Sequence, residues 1–293
     1  MEPLCKSLLE LIRKTSSELP ADVRQAIAKG RQAERDGSRG QYALDVIQEN
    51  IRDASETSLP LCQDTGMISF YVTAPVQFDT LRFMRAARKS VSEATRIGHL
   101  RQNSVDPISG TNTGDNLGPG TPVFHFDAWK RKGIEVRLIL KGGGCENVSA
   151  QYALPDTRLG AGRDMVGVQR VILDAVVQAQ GKGCGPGILG VCIGGDRASG
   201  YETAKAQFLR LLDDHPDDPT LEKLEQTILE LSNRLEIGPM GFGGKTTLLG
   251  VKAAKLNRLP ASYFVSISYM CWAYRRQGIL LNANGSIKKW LYS

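Results

Sequence analysis

Apolar positions in this chain follow two periods, and the switches between them predict its elements. Met165, Val168, Ile172, Ala175, Val176 and Ala179 recur at helical spacing, and Gly181 follows as a stop. Leu221, Leu224, Ile228, Leu231 and Leu235 form a second stripe, with Asp218 and Pro219 as its start and Gly238 as its end. Ile134, Val136, Leu138 and Leu140 keep strand alternation instead. So do Val265, Ile267 and Tyr269, in a strand that ends at Cys271. Residues 186–193 read as a buried strand, and Cys192 lies within that apolar run.

The front of the chain is mostly helical. Cys5 falls in an N-terminal amphipathic stretch. Pro20 opens a helix over 21–35, because the missing N–H of proline is harmless in a first turn. Gly37 and Gly40 break that helix. Residues 42–57 form another, 67–73 a strand and 78–98 a further helix. Residues 106–122, rich in Gly, Asn, Thr and Pro, form a long loop of the kind that often carries function. The pattern predicts an α/β or α+β fold with a mixed sheet, flanking helices and a helical N-terminal portion. No repeat or linker divides it, so a single domain over 1–293 is expected.

Composition narrows the class. With 41% hydrophobic and 23% charged residues and 31 glycines, the chain has the profile of a soluble enzyme with many tight turns. No apolar run approaches the roughly 20 residues of a membrane helix, and residues 1–14 do not read as a signal peptide. A net charge of +6 is modest, and the basic residues are dispersed without an aromatic-basic motif. Neither nucleic acid nor a membrane is expected as a partner. Six cysteines without a secretory signal indicate a reducing, cytoplasmic compartment, in which Cys5 and Cys192 are structural thiols.

The remaining chemistry sits in short polar segments. Cys62, Cys184 and Cys271 are far apart, and the chain has no Cys-x-x-Cys pair. Three scattered thiols in polar or glycine-rich settings suit an iron–sulfur cluster with one iron left unligated by protein, which can serve as a Lewis acid. Cys62-Gln63-Asp64-Thr65-Gly66 also reads as a plain polar turn before a strand; functionally, Asp64 places a proton-exchanging carboxylate two residues from a candidate ligand. Lys141-Gly142-Gly143-Gly144 is equally a strand-end turn or an anion-binding loop. The glycine-rich segment 238–247 fails the phosphate-loop spacing, since Pro239 stands where its first glycine belongs, although anion binding stays open. His99, His125 and His215 form no zinc-type pair, and no Gly-x-Ser-x-Gly elbow occurs.

Together, Cys62-Gln63-Asp64-Thr65-Gly66, Leu100-Arg101-Gln102-Asn103, Asn112-Thr113-Gly114, Lys141-Gly142-Gly143-Gly144, Cys184-Gly185-Pro186, residues 237–247 and Cys271-Trp272-Ala273 resemble the class I, iron–sulfur fumarate hydratase family. The close relative is the L-tartrate dehydratase alpha subunit. The resemblance implies a [4Fe–4S] cluster held by Cys62, Cys184 and Cys271, with a dicarboxylate substrate bound near Gln63, Asp64, Arg101 and Gly144. It makes Asp64 the proton donor toward the hydroxyl. The implied reaction is reversible hydration of fumarate to L-malate, a tricarboxylic acid cycle step. It also implies that the catalytic base lies in a separate beta subunit. Many relatives carry Ser at the place of Cys145, and Cys-Pro-Pro where this chain has Cys184-Gly185-Pro186. Gly142-Gly143-Gly144-Cys145 leans toward tartrate dehydration and Asp196-Arg197 toward fumarate. A reading from another class is a non-catalytic cluster-binding subunit, which would have no use for a carboxylate at Asp64.

Overall fold

The computed structural model describes residues 2–292. In chain order its elements begin with helices α1 (Pro3–Ser17), α2 (Ala21–Ala33) and α3 (Arg39–Thr57). Strand β1 (Met67–Pro75), helix α4 (Thr80–Arg96) and strands β2 (Val123–Trp129) and β3 (Ile134–Lys141) follow. A five-residue helix α5 (Gly143–Asn147) leads to β4 (Ala150–Ala153), α6 (Met165–Ala179), β5 (Gly187–Ile193), α7 (Arg197–Ala206) and α8 (Pro219–Arg234). The chain closes with β6 (Leu248–Lys255), β7 (Phe264–Met270), β8 (Arg275–Leu281) and β9 (Ile287–Trp290). The fold is mixed α/β, with two mixed sheets flanked by helices. Two compact units share the chain: Met1–Ala21, Glu49–Gly143 and Ala273–Ser293 form the first, Asp22–Gln48 and Gly144–Trp272 the second.

In the first unit five strands run in the order β2-β1-β3-β8-β9. β1 pairs parallel with β2 and antiparallel with β3. Its alternation puts Ile68, Phe70, Val72 and Ala74 on the core face, as a period of two requires. α1 contributes Leu8, Leu11 and Ile12 to this core, and α4 contributes Phe83, Ala87 and Val91. Phe83 meets Phe70 edge-on at 6.2 Å. Asp79 begins α4 by accepting the Arg82 N–H. The core face of β8 carries Ile279 and Leu281, but toward its start the same face holds Gln277 and Arg275.

The second unit has four strands in the order β4-β7-β5-β6. β5 is buried along its whole length, parallel to β6 and antiparallel to β7. That explains its continuous apolar run. Cys192 lies inside it, and burial pushes its thiol up to about 11, against a smaller lowering by Thr203. α6 and α8 cover the core formed with these strands. Asp218 caps α8 by accepting the Thr220 N–H, as its sequence predicts. The helix ends at Arg234 rather than Gly238: Leu235 drops off the buried stripe to 41% exposure, and Glu236 turns to φ 51°. Most predicted elements lie within a few residues of their observed bounds, and helices α5 and α7 with strands β4, β6, β8 and β9 are additions. Among the described residues, no helix is long and apolar enough to cross a membrane.

Candidate active site

In the first unit, a polar turn before β1 holds the carboxylate of Asp64 by both oxygens. Oδ1 accepts from Asn103 Nδ2 at 3.0 Å, and Oδ2 accepts from the Gly143 N–H at 2.7 Å. The turn closes tightly on β3. A β-carbon on Gly66 would sit 2.4 Å from the Lys141 carbonyl, and Gly66 has φ 76°. Only glycine satisfies both conditions. A β-carbon on Gly142 would lie 2.9 Å from Asp64 Oδ2, so the glycine run lets the backbone approach the carboxylate. Cys62 and Asp64 are half-buried on this turn, and Gln63 is exposed.

Thr65 ties the turn to the next segment. Its hydroxyl donates to the Arg101 carbonyl at 2.8 Å and accepts the Arg101 N–H at 2.9 Å. Asn116, buried and at φ 61°, fixes the same place from the long loop. Its Nδ2 donates to the Arg101 carbonyl and to Thr95 Oγ1, and its Oδ1 accepts the Asn103 N–H at 2.7 Å. The backbone of Arg101 is therefore held while its side chain stands exposed. Asn116 is a site-building residue outside the quoted motifs, and Asn103, within Leu100-Arg101-Gln102-Asn103, gains its role only from the fold. Their value lies in partners 39 and 13 positions away, which no local pattern reports.

The second unit arranges its thiols differently. Cys184 is exposed on a left-handed residue, φ 51° and ψ 59°. Such backbone is costly for a non-glycine side chain, about 1–3 kcal/mol, and collects at functional positions. Cys271 follows β7 and is 7% exposed, so it is buried rather than lifted out of the core at the strand end. Its N–H donates to Cys145 Sγ at 3.3 Å, and the next N–H, of Trp272, donates to the Cys184 carbonyl at 3.3 Å. The phenol of Tyr269 lies under these loops. β-Carbons on Gly183 and Gly187 would come within 2.5 and 2.3 Å of its ring. Burial raises its pKa well above the usual range, and the charges of Cys271, Cys145 and Cys184 raise it further. Cys145 is therefore part of the thiol surroundings. Gly144, at the chain's entry to this unit, is exposed.

The glycine-rich segment 238–247 binds an anion of its own chain. Glu34, 6% exposed at the end of α2, accepts the N–H of Lys245 at 3.1 Å and of Thr246 at 2.8 Å. That interaction occupies the donors which the sequence left open for a ligand.

All six cysteines are thiols. Among the described residues, no three histidine, cysteine or acidic side chains converge tightly enough to hold a metal ion as they stand. Cys184 presents its thiol outward from a strained turn, and Cys184 and Cys271 sit on loops joined by the Trp272 N–H. Thiolates on hydrogen-bonded loops are the chemistry that iron–sulfur clusters use, so these residues suit one.

The family model for "Fumarate hydratase (Fumerase)" matches residues 5–279. A Geobacillus stearothermophilus protein, provisionally named fumarate hydratase class I, is 50% identical over 100% of this chain and 58% of its own length. The chain thus spans just over half of that relative. A Methanocaldococcus jannaschii protein, provisionally named L(+)-tartrate dehydratase subunit alpha, is 32% identical over 92% of this chain and 94% of its own length. The L(+)-tartrate dehydratase subunit alpha of Escherichia coli K12 is 29% identical, covering 92% and 88% respectively.

Proposed function

The chain belongs to the fumarate hydratase (Fumerase) family, and we propose that it acts as one alpha-type domain of a hydro-lyase that reversibly hydrates fumarate to L-malate. The observation that carries this reading is Asp64. Its carboxylate is anchored through both oxygens by Asn103 and Gly143, beside the Cys62 thiol in the sequence. A purely structural thiol site has no need of an oriented carboxylate there.

Each carboxylate oxygen has two lone pairs, so one hydrogen bond per oxygen leaves room for a proton. In dehydration, protonated Asp64 gives that proton to the departing hydroxyl, which leaves as water. In hydration, Asp64 takes one from water. Arg101, with its backbone fixed and its guanidinium exposed, grips one substrate carboxylate through a planar fork. Gln63 and Gly144 add polar contacts to the same substrate. Cys62, Cys184 and Cys271 would hold a [4Fe–4S] cluster, which supplies Lewis-acid polarisation of a substrate oxygen when bound.

The proton on carbon needs a base, and we assign it to a separate beta subunit. The tartrate dehydratase relatives, nearly matched in length by this chain, are named as alpha subunits. The second reading is an L-tartrate dehydratase alpha subunit, favoured by that likeness in length. The higher identity to the Geobacillus protein favours fumarate. A cytoplasmic location fits an air-sensitive cluster.

The test is an anaerobic assay of the chain, alone and with its partner, on fumarate, L-malate and tartrate. Fumarate hydration only in the presence of the partner is expected. Robust malate dehydration by the homogeneous chain alone would overturn the two-part arrangement. A tartrate rate above the fumarate rate would transfer the assignment to the second reading.

A further inference from the structure

Arg275 is a buried charge without a counter-charge. It is 1% exposed, and its Nε and Nη1 have no hydrogen-bond partner. Among the described residues it enters no ion pair either. Its neighbour Arg276 also has Nε and Nη1 without a hydrogen-bond partner, but its guanidinium lies 4.5 Å from the ring of Tyr274 and 4.6 Å from that of Tyr292, and Arg137 meets Glu135 at 2.7 Å; Arg275 has neither kind of contact. A guanidinium cannot shed its proton to escape burial. A buried donor without a partner calls for an explanation.

Position supplies one. Arg275 opens β8 opposite Leu140, on the face whose later residues Ile279 and Leu281 are core. An apolar side chain would serve packing there. Instead the guanidinium reaches the Asp64 turn. Its Nη2 is 3.9 Å from the point where a β-carbon of Gly142 would stand, and Asp64 Oδ2 is 2.9 Å from that point. Asp64 is not the counter-ion of these donors, because neither Nε nor Nη1 of Arg275 has a hydrogen-bond partner. Gly142, having no side chain, places no atom of its own at that point.

We propose that Arg275 is a substrate-binding residue, gripping a carboxylate side-on through Nε and Nη2. Arg101 holds the other carboxylate of the same molecule. This rests on the hydro-lyase reading and deepens it: two guanidinium groups of one unit would make the site select dicarboxylates over monocarboxylates. Side-on recognition uses two parallel N–H groups in one plane, which lysine cannot reproduce.

The probe is succinate, a dicarboxylate that cannot be dehydrated, with propionate as its monocarboxylate counterpart. In the full chain labelled at arginine Nε, succinate should move the Arg275 Nε–H resonance, and propionate should move it far less. Binding measured by calorimetry should favour succinate in the unaltered chain. Arg275→Gln and Arg275→Lys should each reduce that preference at least about tenfold, one lost charged hydrogen-bonded contact. An unmoved Arg275 resonance at saturating succinate overturns the proposal without any variant that has to fold. So does a full dicarboxylate preference in folded Arg275→Lys. Asp64→Asn separates the two readings, since it should lose turnover while keeping succinate binding and the Arg275 shift. Absence of fumarate hydration in the partnered, cluster-loaded protein, with the shift intact, would strike the hydro-lyase reading and leave the carboxylate site standing.

Discussion

The Asp64 turn and the thiol loops hold their functional groups by opposite means. The first fixes a carboxylate and an arginine backbone through directed hydrogen bonds from Asn103, Gly143, Thr65 and Asn116. The second fixes the Cys184 loop by pressing bare glycine backbone onto the ring of Tyr269, and ties the Cys271 segment to it through the Trp272 N–H. Hydrogen bonds aim a group that must exchange protons, yet each contributes only about 1 kcal/mol to stability. Close packing leaves no tolerance for an added methyl group, but holds loop ends that must keep one shape. The difference predicts that damage to the first region shows in turnover, and damage to the second in stability and cluster retention.

The largest effect should come from the thiols. Cys62→Ser, Cys184→Ser and Cys271→Ser should each abolish the broad visible absorbance of the reconstituted protein, whereas Cys5→Ser and Cys192→Ser should not. A stable cluster in Cys184→Ala would break the comparison at its root. Asp64→Asn should come next, keeping fold and cluster but lowering turnover ~100- to 10,000-fold, the usual reach of general acid–base catalysis. Near-normal turnover would move the proton to another group.

Gly187→Ala should cost about 1–3 kcal/mol through overpacking against Tyr269, read as a shift in urea midpoint. Unchanged stability there would mean that the ring moves aside freely. Asn103→Ala is the matched change in the first region. It should lower stability by about 1 kcal/mol or less, with turnover falling further than stability does, because Asp64 loses its Oδ1 contact. The smallest effect is a rate difference in the cluster-free chain at pH 8. Cys184 is exposed, while Cys192 is buried with its thiol pushed up to about 11. Alkylation followed by mass spectrometry should therefore modify Cys184 well before Cys192.

Periodicity located most helices and the strands β1, β3, β5 and β7, because burial of one face is a local, repeating demand. The stripe of α6 and the alternation of β1, β3 and β7 needed nothing beyond neighbouring residues. It missed β4, β6 and β8 as well as β9, whose burial pattern shows no regular alternation, and placed the end of α8 too late because Leu235 is apolar yet exposed. The candidate thiols, Asp64 and Arg101 were legible as residue types in polar turns, and the order of the motifs carried the family.

The sequence by itself therefore determined the mixed α/β class, the motif set and the chemistry those side chains can perform, since these depend on residue type and near neighbours. Tertiary structure alone decided who meets whom. Asp64 is oriented by a glycine 79 positions away, and the glycine segment 238–247 is filled by Glu34, 212 positions from Thr246. In the sequence Arg275 is one more basic residue beside Arg276, until folding buries it near Gly142 without a counter-charge. Desolvation and hydrogen-bond pairing arise only when distant segments exclude water together, and no local spacing encodes that event.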